Sequence, residues 1–220
     1  MEYHYPAKQI NIAAACLNSF EQFQAKNGNL PHWDIPDKLQ FVTFRLADSI
    51  PQSRLVEYRY NMNTWLSLHP KPWSYADEQE YNKLKNTYEK WLDAGYGECV
   101  MKDPAIRSVI MDSLLHDDGK CYDLLHFCIM PNHVHLLLIP YRGHELTSIL
   151  RTIKTITAIR INRKLGRTGR LWMKESFDTV IRTEEQCTKV VRYISHNGDA
   201  LNTEHYTVMV PIGNDAPWRR

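Results

Sequence analysis

The stretch PNHVHLLLIP, residues 131–140, sets two histidines one residue apart at the head of an aliphatic run. In an extended chain residues i and i+2 point to the same face, so His133 and His135 project together. Two neighbouring imidazoles on a rigid strand can offer two nitrogens to one divalent metal. The same pair also suits a plainer role as polar residues at the mouth of a strand. With 10 histidines in 220 residues, a His-x-His arises readily by chance. A further possibility is His-x-His-x-His chemistry, in which the middle of three histidines attacks a nucleotide phosphate. That pattern needs a histidine at 137, where this chain has Leu137, and a leucine cannot replace an imidazole in a proton relay.

The second chemical signal is charge. The chain carries a net charge of only +2, yet residues 142–174 hold nine Lys/Arg against one acid, Glu145. A local basic zone on a near-neutral chain suits a polyanion-binding face. A solvated helix face followed by a flexible turn would look similar. Arg151, Lys154, Arg160, Arg163, Lys164, Arg167 and Arg170 could follow a phosphate backbone, and Trp172 could stack on an unpaired base or equally belong to the core.

Composition sets the frame for these groups. An apolar content of 43% allows a full-size core, and 220 residues suit one domain, 1–220, with an insertion. No span has the roughly 18 to 20 uninterrupted apolar residues of a membrane helix. The start lacks a basic segment, apolar block and cleavage site, so no secretion signal is expected. Five widely spaced cysteines form neither a CxxC pair nor a disulfide framework, which suggests free thiols and a cytoplasmic location.

The elements that must position the two histidines follow from periodicity. A short helix-compatible patch precedes NGNLPHWDIPDK, a Pro/Gly/Asn-rich lead-in. LQFVTFRLADSIP reads as a strand, with Val42, Phe44 and Leu46 alternating with Thr43 and Arg45. Residues 52–100 read as a helical insertion, with Tyr81, Leu84, Tyr88, Trp91 and Leu92 at helical spacing before Gly95 and Gly97. Asp103-Pro104 opens a helix that Gly119 stops. CYDLLHFCIM and HVHLLLIP, around Pro131-Asn132, read as two strands joined by a tight turn. A helix over about 145–165 follows, with Leu146, Ile149, Leu150, Ile153 and Ile156 inward. GRTGR is a basic glycine turn and SFDTVIR a short strand. Thr183-Glu-Glu-Gln186 is a capping box for a helix reaching Asn197-Gly198, and residues 201–220 read as an irregular tail. The order predicts an α+β domain, with helices covering one antiparallel sheet.

Taken in order, QFVTFRLADSIP, PNHVHLLL, KTITAIRINRKLGRTGRLW, FDTVIR and RYISHN resemble the REP-associated tyrosine transposases, of the HUH (His-hydrophobe-His) single-tyrosine endonuclease family. The resemblance spans most of residues 30–200. It implies a ferredoxin-like HUH endonuclease core. It further implies that Tyr193 is the nucleophile, that His133, His135 and Asn197 hold Mg²⁺ or Mn²⁺, and that the substrate is a hairpin-bearing repeat in single-stranded DNA. The family pattern also matches Lys154, Thr157, Ala158 and Asn162, and Ile181-Arg182, which adds Asn162 and Arg182 to the DNA-contacting set. On a helix, residues 193 and 197 face one way, in agreement with this. Tyr193 would otherwise be an amphipathic aromatic at the core's rim, and Asn197 an ordinary helix stop. Members of the family commonly have Asn-Pro where this chain has Asn197-Gly198. A homodimer is a further expectation, because related single-tyrosine enzymes pair two active sites. The expected activity is metal-dependent nicking and strand transfer through a covalent 5′-phosphotyrosine. The rival is a sequence-selective hairpin-binding protein that does not cleave.

Overall fold

A computed structural model describes residues 1–17 and 35–212. In chain order the elements are β1 (Glu2–Pro6), α1 (Ile12–Ala15), β2 (Gln40–Arg45), α2 (Gln52–Leu68), α3 (Tyr75–Asp93), a 3₁₀ turn (Val100–Lys102), α4 (Pro104–His116), β3 (Tyr122–Ile129), β4 (His133–Pro140), α5 (Leu146–Lys164), β5 (Phe177–Val180), α6 (Glu184–His196) and β6 (Thr207–Ile212). Most of the 27–38 lead-in lies outside the described residues.

The six strands form one sheet in the order β1-β6-β3-β4-β2-β5. The fold is α+β as expected, but the sheet is not wholly antiparallel, because β1 pairs parallel to β6. Both of these strands fall in segments that the sequence pattern left as helix-compatible or irregular. A half-exposed strand is too short to declare itself by alternation, and β1 alternates exposed and partly buried over five residues only. Tertiary contacts hold β6 in place. Buried Arg107 on α4 donates from Nε to Thr207 Oγ1 at 2.8 Å and from its guanidinium to the Glu204 carbonyl at 2.6 Å.

Alternation along the strands divides the core between two faces. Val42, Phe44, Leu124, Phe127, Ile129, Val134, Leu136 and Leu138 pack against α4 and α5. Phe41, Leu125, Cys128, Leu137 and Ile139 pack on the other face against α1 and α6. Fully burying each such side chain contributes roughly 1.5–3 kcal/mol before entropic losses. On β4 the odd-numbered residues face α6, so His133 and His135 lie on that side. The inward stripe of α5 departs from expectation at one position. Ile156 is 41% exposed, and the buried residues beyond Ile153 are Thr157 and Ile161. The drift of a 3.6-residue helix carries position 156 off the contact line, and the Thr157 hydroxyl is satisfied by donating to the Ile153 carbonyl at 2.7 Å.

The predicted insertion is a helical hairpin, α2 and α3, joined to the sheet end through a small core of Ile50, Leu55 and Leu92. Ser74 and Asp77 form a capping box at the start of α3. Among the described residues no helix is long and apolar enough to cross a membrane.

Candidate active site

The turn Pro131-Asn132 delivers β4 into the middle of the sheet, where His133 pairs with Arg45 and His135 with Thr43 on β2. Both histidines are 1% exposed. Their Nε2 atoms face each other at 3.0 Å. Burial holds the His133 pKa down at about 3 and depresses that of His135 as well, with the neighbouring ring adding to the effect. Both therefore stand as neutral imidazoles with nitrogen lone pairs on offer.

Hydrogen bonds fix how those lone pairs point. Asn132 Nδ2 donates to the Leu92 and Tyr96 carbonyls at 3.1 and 3.2 Å, just past the end of α3. That orients the amide with Oδ1 toward His133 Nδ1, 2.8 Å away. The Nδ1 atom must then carry the proton, which leaves His133 Nε2 as an acceptor. His135 Nδ1 lies 2.8 Å from Thr43 Oγ1, a hydroxyl able to donate or accept, so His135 can change tautomer without losing this bond.

Helix α6 brings the third group. Its start is capped by Thr183, whose hydroxyl accepts from the Gln186 N–H, while Gln186 Oε1 accepts from the Arg182 N–H. Cys187, Val191 and Ile194 bury one stripe against the sheet, as the apolar spacing predicts. Tyr193 sits at the edge of that stripe, and its hydroxyl reaches 3.4 Å from His135 Nε2. Phe41 stacks on the His135 ring and meets Tyr193 edge-on, closing the apolar side of the group. One turn later Asn197 adjoins His133 closely enough to favour its protonated form slightly. Yet the buried Asn197 Oδ1 has no hydrogen-bond partner of ordinary geometry. His126, the other strand histidine, lies 2.8 Å by Nε2 from Ser195 Oγ, as a packed residue under α6. Leu137 is fully buried, so the face that would carry a third histidine is filled by the core.

The basic residues are divided by the fold. Helix α5 covers the face of the sheet away from the histidines. Its C-terminal end and the following turn nevertheless reach the sheet end where β4 begins, since the Leu171 carbonyl accepts from Ala47 N–H and Met173 N–H donates to the Arg45 carbonyl. Arg163, Lys164 and Arg170 are exposed there. Asn162 and Arg167 shape the turn: Asn162 Nδ2 donates to the Gly169 carbonyl at 2.8 Å, and Arg167 pairs with Glu98. Arg151 lies near the other end of α5, and Arg182 beside the start of α6, also remote from the histidine end. Two residues have structural positions. Lys154 Nζ donates to the Met173 and Lys174 carbonyls, and burial lowers its pKa to about 8. Trp172 is 4% exposed, packs edge-on against Phe44, and donates its indole N–H to Thr157 Oγ1 at 2.9 Å, so its ring offers no face to a base. Of the two roles open to Trp172 in the sequence, the core is where it stands. Sequence reasoning missed Asn132 and Asp93. Asn132 lay inside the quoted motif, whereas only the fold brings Asp93 of α3, with Oδ1 3.8 Å from His133 Nε2, to the site. Among the described residues no three His, Cys, Asp or Glu side chains are already arranged to hold a metal.

No curated protein matches the chain. A solved REP-associated tyrosine transposase bound to a REP hairpin is similar at 14% identity and a TM-score of 0.42, over 82% of this chain and 74% of that one. A candidate transposase from Deinococcus radiodurans R1 is similar at 14% identity and a TM-score of 0.34, over 72% of this chain and 89% of that one. The family model described as "Transposase IS200 like" matches residues 109–197, the span that holds β3, β4, α5, β5 and α6. That span, which contains both histidines and Tyr193, is similar to the IS200-like transposases.

Proposed function

We propose that the protein nicks single-stranded DNA beside repeat hairpins and transfers the strand through a covalent 5′-phosphotyrosine on Tyr193. The observation that carries this reading is convergence: His133 Nε2, His135 Nε2 and the Tyr193 hydroxyl meet in one place on one chain, 3.0 and 3.4 Å apart. A protein that only bound hairpins would need none of the three.

The donor set fits a hard divalent ion. The two Nε2 atoms, 3.0 Å apart, are close enough to offer two nitrogens to one ion. The unpartnered Asn197 Oδ1 is a third neutral donor, as the family resemblance implies. His133, His135 and Asn197 would hold Mg²⁺ or Mn²⁺, which supplies charge neutralisation at the scissile phosphate.

The chain's own groups do the rest. Tyr193 Oη forms a bond to phosphorus as the bond from phosphorus to the 3′-oxygen breaks. The phenolic proton is lost and the leaving oxygen takes one up, ending as a 3′-hydroxyl. The new bond is again a phosphodiester, so a second 3′-hydroxyl can reverse the step and join strands. Cations at the sheet end, Arg163, Lys164 and Arg170, hold the backbone of the unpaired strand.

The test is to incubate end-labelled single-stranded hairpin DNA, from repeats flanking the gene, with Mn²⁺ and either wild type or Tyr193→Phe. A labelled protein–DNA adduct in wild type that is absent from the variant is expected on a denaturing gel. Tight binding by both proteins with no adduct from either would overturn cleavage in favour of a binding protein.

A further inference from the structure

The two imidazoles and one amide carry no negative charge between them, whereas a hard divalent ion such as Mg²⁺ is usually held through one or two carboxylates. The fold brings a carboxylate to this place from an unexpected direction. Asp93, the last residue of α3, has Oδ1 3.8 Å from His133 Nε2, the same nitrogen that faces His135. Because Asn132 keeps the proton on Nδ1, His133 presents a lone pair, not an N–H, toward that oxygen. Two electron-rich groups gain nothing from facing each other directly. A cation between them makes the arrangement favourable.

The Asp93 side chain, 45% exposed and with Oδ1 3.8 Å from His133 Nε2, has room to turn toward an ion held there. Its backbone has little freedom to drift. Leu92 is buried in the hairpin's core, and Asn132 Nδ2 holds the carbonyls of Leu92 and Tyr96 on either side of Asp93.

We infer that Asp93 supplies a carboxylate oxygen to the divalent ion bound at His133, His135 and Asn197, which makes the helical hairpin a working part of the active site. The inference rests on the metal-dependent reading above and extends it to residues outside the matched segment.

The experiment is a Mn²⁺ titration of the full chain, following free ion by electron paramagnetic resonance, with no DNA present. Wild type, His133→Ala, Asp93→Asn and Asp93→Ala are compared, each with its melting temperature. Expected are binding by wild type, its loss in His133→Ala, and weakening by about tenfold or more in both Asp93 variants at an unchanged melting temperature. If both Asp93 variants bind like wild type while His133→Ala does not, Asp93 is no ligand and the two-histidine site stands without it. If wild type itself binds no Mn²⁺, this inference and the metal-dependent reading both fall.

Discussion

At the scale of single residues, the site depends on which nitrogen of each histidine holds its proton, and Asn132 decides this for His133. The residue is 1% exposed and uses both ends of its amide, one toward His133 and one toward the hairpin carbonyls. Asn132→Ala should therefore have two separable effects. The Leu92 carbonyl and His133 Nδ1 lose a buried partner and the Tyr96 carbonyl a half-buried one, which should cost on the order of 1–3 kcal/mol in urea unfolding. Freed of its acceptor, the His133 ring can rotate or change tautomer, which should weaken Mn²⁺ binding about 10- to 100-fold. Loss of stability with metal affinity intact would show that Asn132 is only a clamp. The sequence made the histidine pair legible, because i, i+2 spacing needs no tertiary knowledge. It could not show the role of Asn132, whose partners at Leu92 and Tyr96 are about 40 residues away in the chain. The carboxylate of Asp93 was hidden for the same reason.

At the scale of elements, what could be read depended on whether a segment's burial is set locally. The hairpin β3–β4 is buried almost throughout, so continuous aliphatic runs announced it. Helix α6 announced itself by its cap and stripe. Strands β1 and β6 are strands because they pair with each other and β6 also pairs with β3, and no local pattern carries that information. The join between α6 and β6 also explains a departure from the family pattern. A Cβ on Gly198 would lie 2.3 Å from the Tyr206 ring, so the ring occupies the space that any larger residue would need. The glycine that ends the tyrosine helix is thus matched to the strand that follows. Gly198→Ala should destabilise the protein by roughly 1–3 kcal/mol through overpacking and should disturb the neighbouring Asn197 amide. Urea unfolding of Gly198→Ala beside wild type measures this, and an unchanged midpoint would mean that Tyr206 can swing aside at little cost.

At the scale of the whole molecule, the sheet separates the chemistry from most of the positive charge. The histidines and Tyr193 occupy the α6 face, while α5 lies on the other and touches the site only where its end and the glycine turn wrap the sheet edge. Charge read along the chain could not reveal this, since residues 142–174 are one basic block in sequence but reach from one end of the sheet to the other. The geometry divides the block into cations that can meet a strand entering the site and cations that cannot. Arg163 and Arg170 are in the first group; Arg151, with Arg182 from outside the block, is in the second. Each lost phosphate contact on single-stranded nucleic acid reduces the slope of log affinity against log salt by roughly 0.7. Arg163→Gln and Arg170→Gln should each flatten the slope by about that amount and weaken hairpin binding, whereas Arg151→Gln and Arg182→Gln should leave it close to wild type. Fluorescence anisotropy of a labelled hairpin across a salt series gives all five slopes. Equal flattening by Arg151→Gln would place the DNA along the whole of α5, across the sheet from Tyr193, a path that leaves the scissile phosphate on the wrong face.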